Sequence, residues 1–134
     1  MRALNNFMNQ PDLGKLILRV SLALMMLLHG ISKLQHGVDW ISGSLQSMGL
    51  PGFLAYGVFV GEVIAPIMLL IGFQSRIAAL LMAGNMVVAI AIAHTGEIFA
   101  LSSHGGWAIE LQGFFLFTSL AIVFIGPGKF VVKN

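Results

Sequence analysis

The residue best placed to do chemistry is Glu62, a carboxylate ten residues into an apolar stretch, 52–73. At 1.5 Å of helical rise per residue it lies about 15 Å in, near the middle of a hydrocarbon core. A carboxyl group there is costly, and such residues mark ligand or proton handling. Pro66, four residues on, has no N–H to give the Glu62 carbonyl, so a kink is expected there. Asn85 falls at nearly the same depth in another apolar stretch, 76–96. The plainer alternative is that Glu62 is protonated or hydrogen-bonded and holds helices together.

A second polar group gathers toward one side of the chain. His29 and Lys33 are four apart and share a helix face; His94 and Glu97 are three apart at the end of the stretch 76–96. Glu110 and Gln112 open the stretch 107–125. Together they could supply donors, acceptors and titrating groups to a ligand, with histidine as a proton relay near neutral pH. Each has a bland alternative. Lys33 would snorkel to the interface, Glu97 would be solvated, and a lone histidine would bond one helix to another. His29 and His94 could ligate haem from two helices, and adding Glu110 would make a mixed N/O metal site. No HxxxH or ExxH spacing supports either, so neither haem nor a metal is the leading expectation.

Four apolar stretches must position these groups: about 14–34, 52–73, 76–96 and 107–125. Each approaches the roughly 20 residues a crossing helix needs, and only helices can span lipid in so short a chain. Composition agrees: 57% of residues are hydrophobic, 9% are charged, and mean hydropathy is +0.93. Soluble domains carry about a quarter charged residues. The net charge of +2 comes with no basic run, which argues against nucleic acid. With no cysteine, disulfides, thiol nucleophiles and iron–sulfur ligation are excluded. The first stretch is too long for a signal-peptide core and no A-x-A-like site follows, so it is read as a retained helix.

Arg2, Lys15, Arg19, Arg76, Lys129 and Lys133 fall on one side of a four-crossing chain, and only Lys33 on the other. The positive-inside rule puts both termini in the cytoplasm. Between the first two stretches, Val38, Ile41, Leu45 and Met48 recur at helical spacing, which predicts a short outer amphipathic helix with Trp40 at the interface. Trp107 is expected to anchor the fourth helix, and Gly126-Pro127-Gly128 to end it. Gly57, Gly61 and Ala65, and Ala79, Ala83 and Val87, repeat every four residues and predict close helix packing. The expected fold is therefore an all-α integral membrane four-helix bundle with a short outer amphipathic helix between helices one and two.

An ordered set of motifs resembles the DoxX family of small four-helix bacterial membrane proteins. Arg19 comes first, then HGISKL (29–34), MGLP (48–51), Glu62, LLIGFQSRIAA (69–79), His94, Glu110 and a terminal GPG (126–128). The set spans about 110 of the 134 residues. The resemblance implies Lys33, Glu62, Arg76 and Glu110 as family-motif positions. It also implies a likeness to the membrane subunit of a thiosulfate:quinone oxidoreductase and to proteins accompanying redox or quinone- and catechol-stress systems. Here the GPG continues as KFVV, where related chains often have a Ser-x-Asp-like ending.

These readings lead to one expectation and two alternatives. The expectation is a redox-associated protein of the bacterial inner membrane, binding a quinone or similar small apolar ligand among Glu62, Asn85, His29, Lys33, His94 and Glu110. One alternative is a non-catalytic anchor or assembly subunit for a partner protein. The other is a small-solute permease, for which four helices leave little room unless the chain dimerises. The lipid bilayer is the expected partner, with a redox protein or a second copy beside it. Whether the chain is catalytic stays open at the level of the residues.

Overall fold

The computed structural model describes residues 1–93 and 95–133, and over these the chain is all-helical. Helix α1 (Arg2–Met8) is short and has no buried residue. Helix α2 (Pro11–His36) runs 26 residues. It starts on a proline, which fits the first turn because its missing N–H has no helical partner there, and Asp12 in that turn suits the helix dipole. Helix α3 (Asp39–Ser47) follows. The next span is not one continuous α-helix. A 3₁₀ segment (Gly52–Gly57) leads to a π-helical turn (Val60–Ile64) and then to α4 (Ala65–Ile71). Helices α5 (Ser75–Ala93) and α6 (Glu110–Ile125) complete the set, with a short 3₁₀ turn at Thr95–Glu97 between them.

Three of these units, Pro11–His36, Gly52–Ile71 and Ser75–Ala93, are long and apolar enough to cross a membrane. Helix α6 has 16 residues, about 24 Å, short of the roughly 30 Å core. It begins three residues later than the apolar stretch because Trp107 turns back. The indole Nε1 donates to the Ile98 carbonyl at 2.5 Å, and the ring packs on Gly113. Large apolar side chains face outward, Phe114, Phe117 and Phe124 among them, at 60–79% exposure. Such a surface is stable against lipid and not against water, so this is a membrane protein.

The buried centre lies where α2, α4, α5 and α6 meet, around Met26, Leu69, Met82, Phe115 and Ile122. Small residues at the crossings let the backbones approach. Ala65, Ala79 and Ala83 are buried, whereas Gly57 and Val87, at the ends of the two stripes, are exposed. A second apolar cluster joins α3 to the 3₁₀ segment, with Val38, Ile41 and Leu45 packed on Ala55, Val58 and Phe59. Met48 stands outside that cluster, 54% exposed beyond the end of α3.

Pro66 acts through a π turn. The Ala65 N–H reaches back five residues to the Val60 carbonyl, and Pro66 sits in the first turn of α4, where no donor is needed. At the far end of α2 the tail folds back over the α4–α5 turn. Gln74 N–H donates to the Lys133 carbonyl at 2.8 Å, and Val132 N–H to the Ile71 carbonyl at 3.2 Å. Arg19, 2% exposed, donates from Nη1 to the Pro127 carbonyl at 3.2 Å and from Nη2 to the Phe130 carbonyl at 2.7 Å.

Candidate functional site

Glu62 occupies the π turn, with its side chain 2% exposed, and both of its carboxylate oxygens are partnered. Lys33 Nζ, on α2, donates to Oε1 at 2.5 Å. Asn85 Nδ2, on α5, donates to Oε2 at 2.9 Å. Two glycines make the approach possible. A methyl group on Gly30, one turn before Lys33, would collide with the Glu62 carbonyl. A methyl group on Gly61 would run into the Asn85 side chain. The carbonyl that Pro66 cannot engage therefore lies against α2, and the wide turn aims the carboxylate between α2 and α5.

Lys33 does not snorkel outward. Helical side chains tilt toward the N-terminus of their helix, and on α2 that directs the ammonium back past Gly30 to Glu62. The pair is 22% exposed on the lysine side and nearly closed on the carboxylate side. Opposite charges neutralise each other here, and Asn85 satisfies the remaining oxygen, which meets the condition for burying ionised groups.

Two cavities meet at this pair, both lined by Lys33, Glu62, Trp40 and Ala89. The larger holds about 570 Å³ between α3, the 3₁₀ segment and α5. Its walls are apolar, from residues such as Ile41, Leu54, Val58, Val88 and Ile92, with Asn85 at the polar end. The smaller holds about 160 Å³ and adds His29 and Gln112. Trp40 is 56% exposed and lies at both openings. A molecule with an apolar body and oxygen atoms at one end could lie along the larger cavity with those oxygens at Lys33 and Asn85.

Of the six residues marked by sequence, Lys33, Glu62 and Asn85 come into direct contact. His29 joins through the smaller cavity, its ring edge-on to Phe115 with centroids 5.6 Å apart. Glu110 does not join: it is exposed at the start of α6, its carboxylate beside Gly106, and it lines neither cavity. His94 lies outside the described residues. Among the described residues no three of His, Asp or Glu are grouped as a metal would need.

Depth along ideal helices puts Glu62 at mid-membrane and Lys33 toward one face, whereas the structure brings the two into contact. The 3₁₀ segment and π turn change the rise and the facing of Glu62, and the backward tilt of Lys33 closes the remaining gap. One signal was available. Lys33 is the lone cation on its side and Glu62 the lone carboxylate deep in a span, so each needed the other. The Arg19 contacts were missed altogether, although a Gly-Pro-Gly turn leaves carbonyls that a buried guanidinium can bind.

The family model described as DoxX matches residues 14–95, more than half of the chain. A Bacillus subtilis (strain 168) protein named "Putative oxidoreductase CatD" is 34% identical over 79 residues, covering 59% of this chain and 58% of CatD. The match thus spans less than two thirds of that relative's length. An uncharacterized Haemophilus influenzae protein is 30% identical over 120 residues, covering 87% of this chain and 86% of its own. No solved structure matches. The matched region contains most of α2, the π turn and α5, which carry all three members of the Lys33–Glu62–Asn85 set, and the chain belongs to the DoxX family.

Proposed function

We propose that this DoxX protein is redox-associated and binds a quinone, or a similar small ring compound with an apolar body, in its larger cavity. The observation that carries the reading is the Lys33–Glu62–Asn85 set at the polar end of an otherwise apolar space of about 570 Å³. A quinone needs an apolar slot for ring and tail and a donor at each carbonyl; Lys33 and Asn85 are such donors on two helices. The name of the relative CatD, an oxidoreductase by description, supports the same direction. In this reading the whole chain is one unit of four crossings, with α6 as the short fourth, in a bacterial inner membrane. Six of the seven basic residues gather at the Arg19 end or before it, which supports cytoplasmic termini and an outward-facing site. Helix α3 then lies on the outer face.

The test is to purify the protein in mild detergent, extract it, and record a borohydride-reduced-minus-oxidised spectrum. A quinone difference band is expected in the wild type and its loss in Glu62→Gln, read per unit of folded protein. A flat wild-type spectrum from well-folded protein, with a second protein co-purifying, would replace this reading with that of a membrane anchor or assembly subunit.

A further inference from the structure

The two cavities at the Lys33–Glu62 pair differ in more than size. Asn85 lines only the larger, and His29 and Gln112 line only the smaller. At about 160 Å³ the smaller has room for about five waters, with His29, Gln112, Trp40 and the shared pair as the polar groups of its lining. Beyond the shared pair and Trp40, the larger adds Asn85 as its polar side chain. Lys33 is the more open member of the pair, 22% exposed against 2% for Glu62.

We infer that the smaller cavity is a wetted antechamber delivering protons to Glu62, while the larger cavity holds the apolar ligand on the other side of the pair. The proton leaves a protonated His29, crosses the water and joins the Glu62 carboxylate. His29 becomes neutral, Glu62 becomes a neutral acid, and the total charge is unchanged. Lys33 keeps its charge but loses its counter-ion, which frees its ammonium for an oxygen of the ligand. His29 suits this step because it lines the same cavity as Glu62 and an imidazole carries a nitrogen that can give up a proton. Among the described residues facing Glu62, α2 brings the titrating groups His29 and Lys33. Helix α5 brings Asn85, α6 brings Gln112 and α3 brings Trp40, none of which titrates. Placing the ligand in the larger cavity rests on the proposed function; delivery of protons to Glu62 does not.

The experiment is infrared spectroscopy of the protein in lipid, with the Glu62 carboxyl bands assigned by their absence in Glu62→Gln. Deuteron exchange and acid–base jumps are followed in those bands, and binding is read separately as quenching of Trp40 fluorescence by menadione. Ala93→Phe fills the smaller cavity, and His29→Leu dries it without adding bulk. Gly84→Leu fills the larger, because a side chain at Gly84 meets nothing within 4 Å. Ala93→Phe and His29→Leu are expected to lose the prompt exchange of Glu62 and keep menadione binding. Gly84→Leu is expected to do the reverse. If Ala93→Phe does not fold, His29→Leu alone decides. Prompt exchange in folded His29→Leu, or slowed exchange in Gly84→Leu, would overturn the antechamber. Failure of the wild type to bind menadione, with the exchange pattern intact, would remove the ligand from the larger cavity and leave the antechamber standing.

Discussion

Helix α2 carries a cation toward each end, and the two are satisfied in opposite ways. Arg19 and Lys33 are 14 residues apart, about 21 Å along the helix. The Arg19 guanidinium is bound by backbone carbonyls of the tail, Pro127 and Phe130, and in the described residues no carboxylate bridges to it. Lys33 is bound by a side-chain carboxylate, and cavities open on both sides of the pair. Carbonyls cannot change their charge, so the Arg19 contact fixes the chain whatever the pH or ligand. A carboxylate can be protonated or turned aside, so the Lys33 contact can respond. One end is a clamp and the other is the candidate site.

The largest expected effect tests that difference directly. Lys33→Met leaves the buried Glu62 without its counter-charge, and breaking one side of a buried pair costs about 3–4 kcal/mol. Adding Glu62→Met removes the orphaned charge as well, and the double variant is expected to regain most of the lost stability while losing the ligand. Thermal unfolding in detergent, followed by scattering or fluorescence, checks both. A double variant no more stable than Lys33→Met would show that the pair is held for more than its own neutralisation.

Arg19→Met comes next, at roughly 2–3 kcal/mol, because two buried carbonyls lose a charged donor. No second side-chain substitution can repair it, since the partners are backbone. Proteolysis of the released tail beyond Gly126 is the expected signature, with quinone binding unchanged in the fraction that folds. Restoration of stability by any single side-chain change in residues 127–130 would contradict the assignment of a backbone clamp.

How legible each end was in the sequence follows the same division. Glu62, Lys33 and Asn85 stood out because polar groups in apolar stretches are costly, and cost is readable residue by residue. Their contact was not readable, because it depends on a π turn at Val60–Ile64 that a regular helical ruler cannot represent. The helix over 39–47 showed in the periodicity of Val38, Ile41 and Leu45, but its junction with Ala55 did not. The Arg19 clamp joins residues 108 and 111 positions apart, and nothing local announces such a pairing. Glu110 misled for the opposite reason. Its neighbours are apolar, yet the chain before it turns back at Trp107 and leaves the carboxylate exposed.

A smaller effect probes the glycines that seat the site. Gly30→Ala forces a methyl group against the Glu62 carbonyl, and the helices can separate only by lengthening the Lys33–Glu62 contact. Overpacking of this kind costs typically 1–3 kcal/mol. The same variant is expected to weaken quinone binding more than it weakens folding, measured as a spectrum per unit of folded protein. Equal loss of both would reduce Gly30 to a packing residue.

The smallest effect sets two glycines against each other, one from each region. Gly84 is helical, meets nothing within 4 Å and lines the larger cavity. Gly126 ends α6 at φ 79°, where an L side chain is strained, and the Arg76 guanidinium covers it. Alanine is a better helix former than glycine by roughly 0.5–1 kcal/mol, so Gly84→Ala is expected to stabilise by that amount. Gly126→Ala is expected to destabilise by at least about 1 kcal/mol, because φ 79° with ψ 179° is a backbone region essentially reserved for glycine. The opposite signs follow from what each glycine does. Gly126 supplies a backbone angle that the clamp requires, and its loss shows as lost stability. Gly84 leaves space, which contributes nothing to folding and matters only if something fills it. A stabilised Gly84→Ala that binds menadione more weakly would therefore show that stability is given up at this position to keep the chamber open. Unchanged binding would place the ligand nearer the Lys33 end, clear of Gly84.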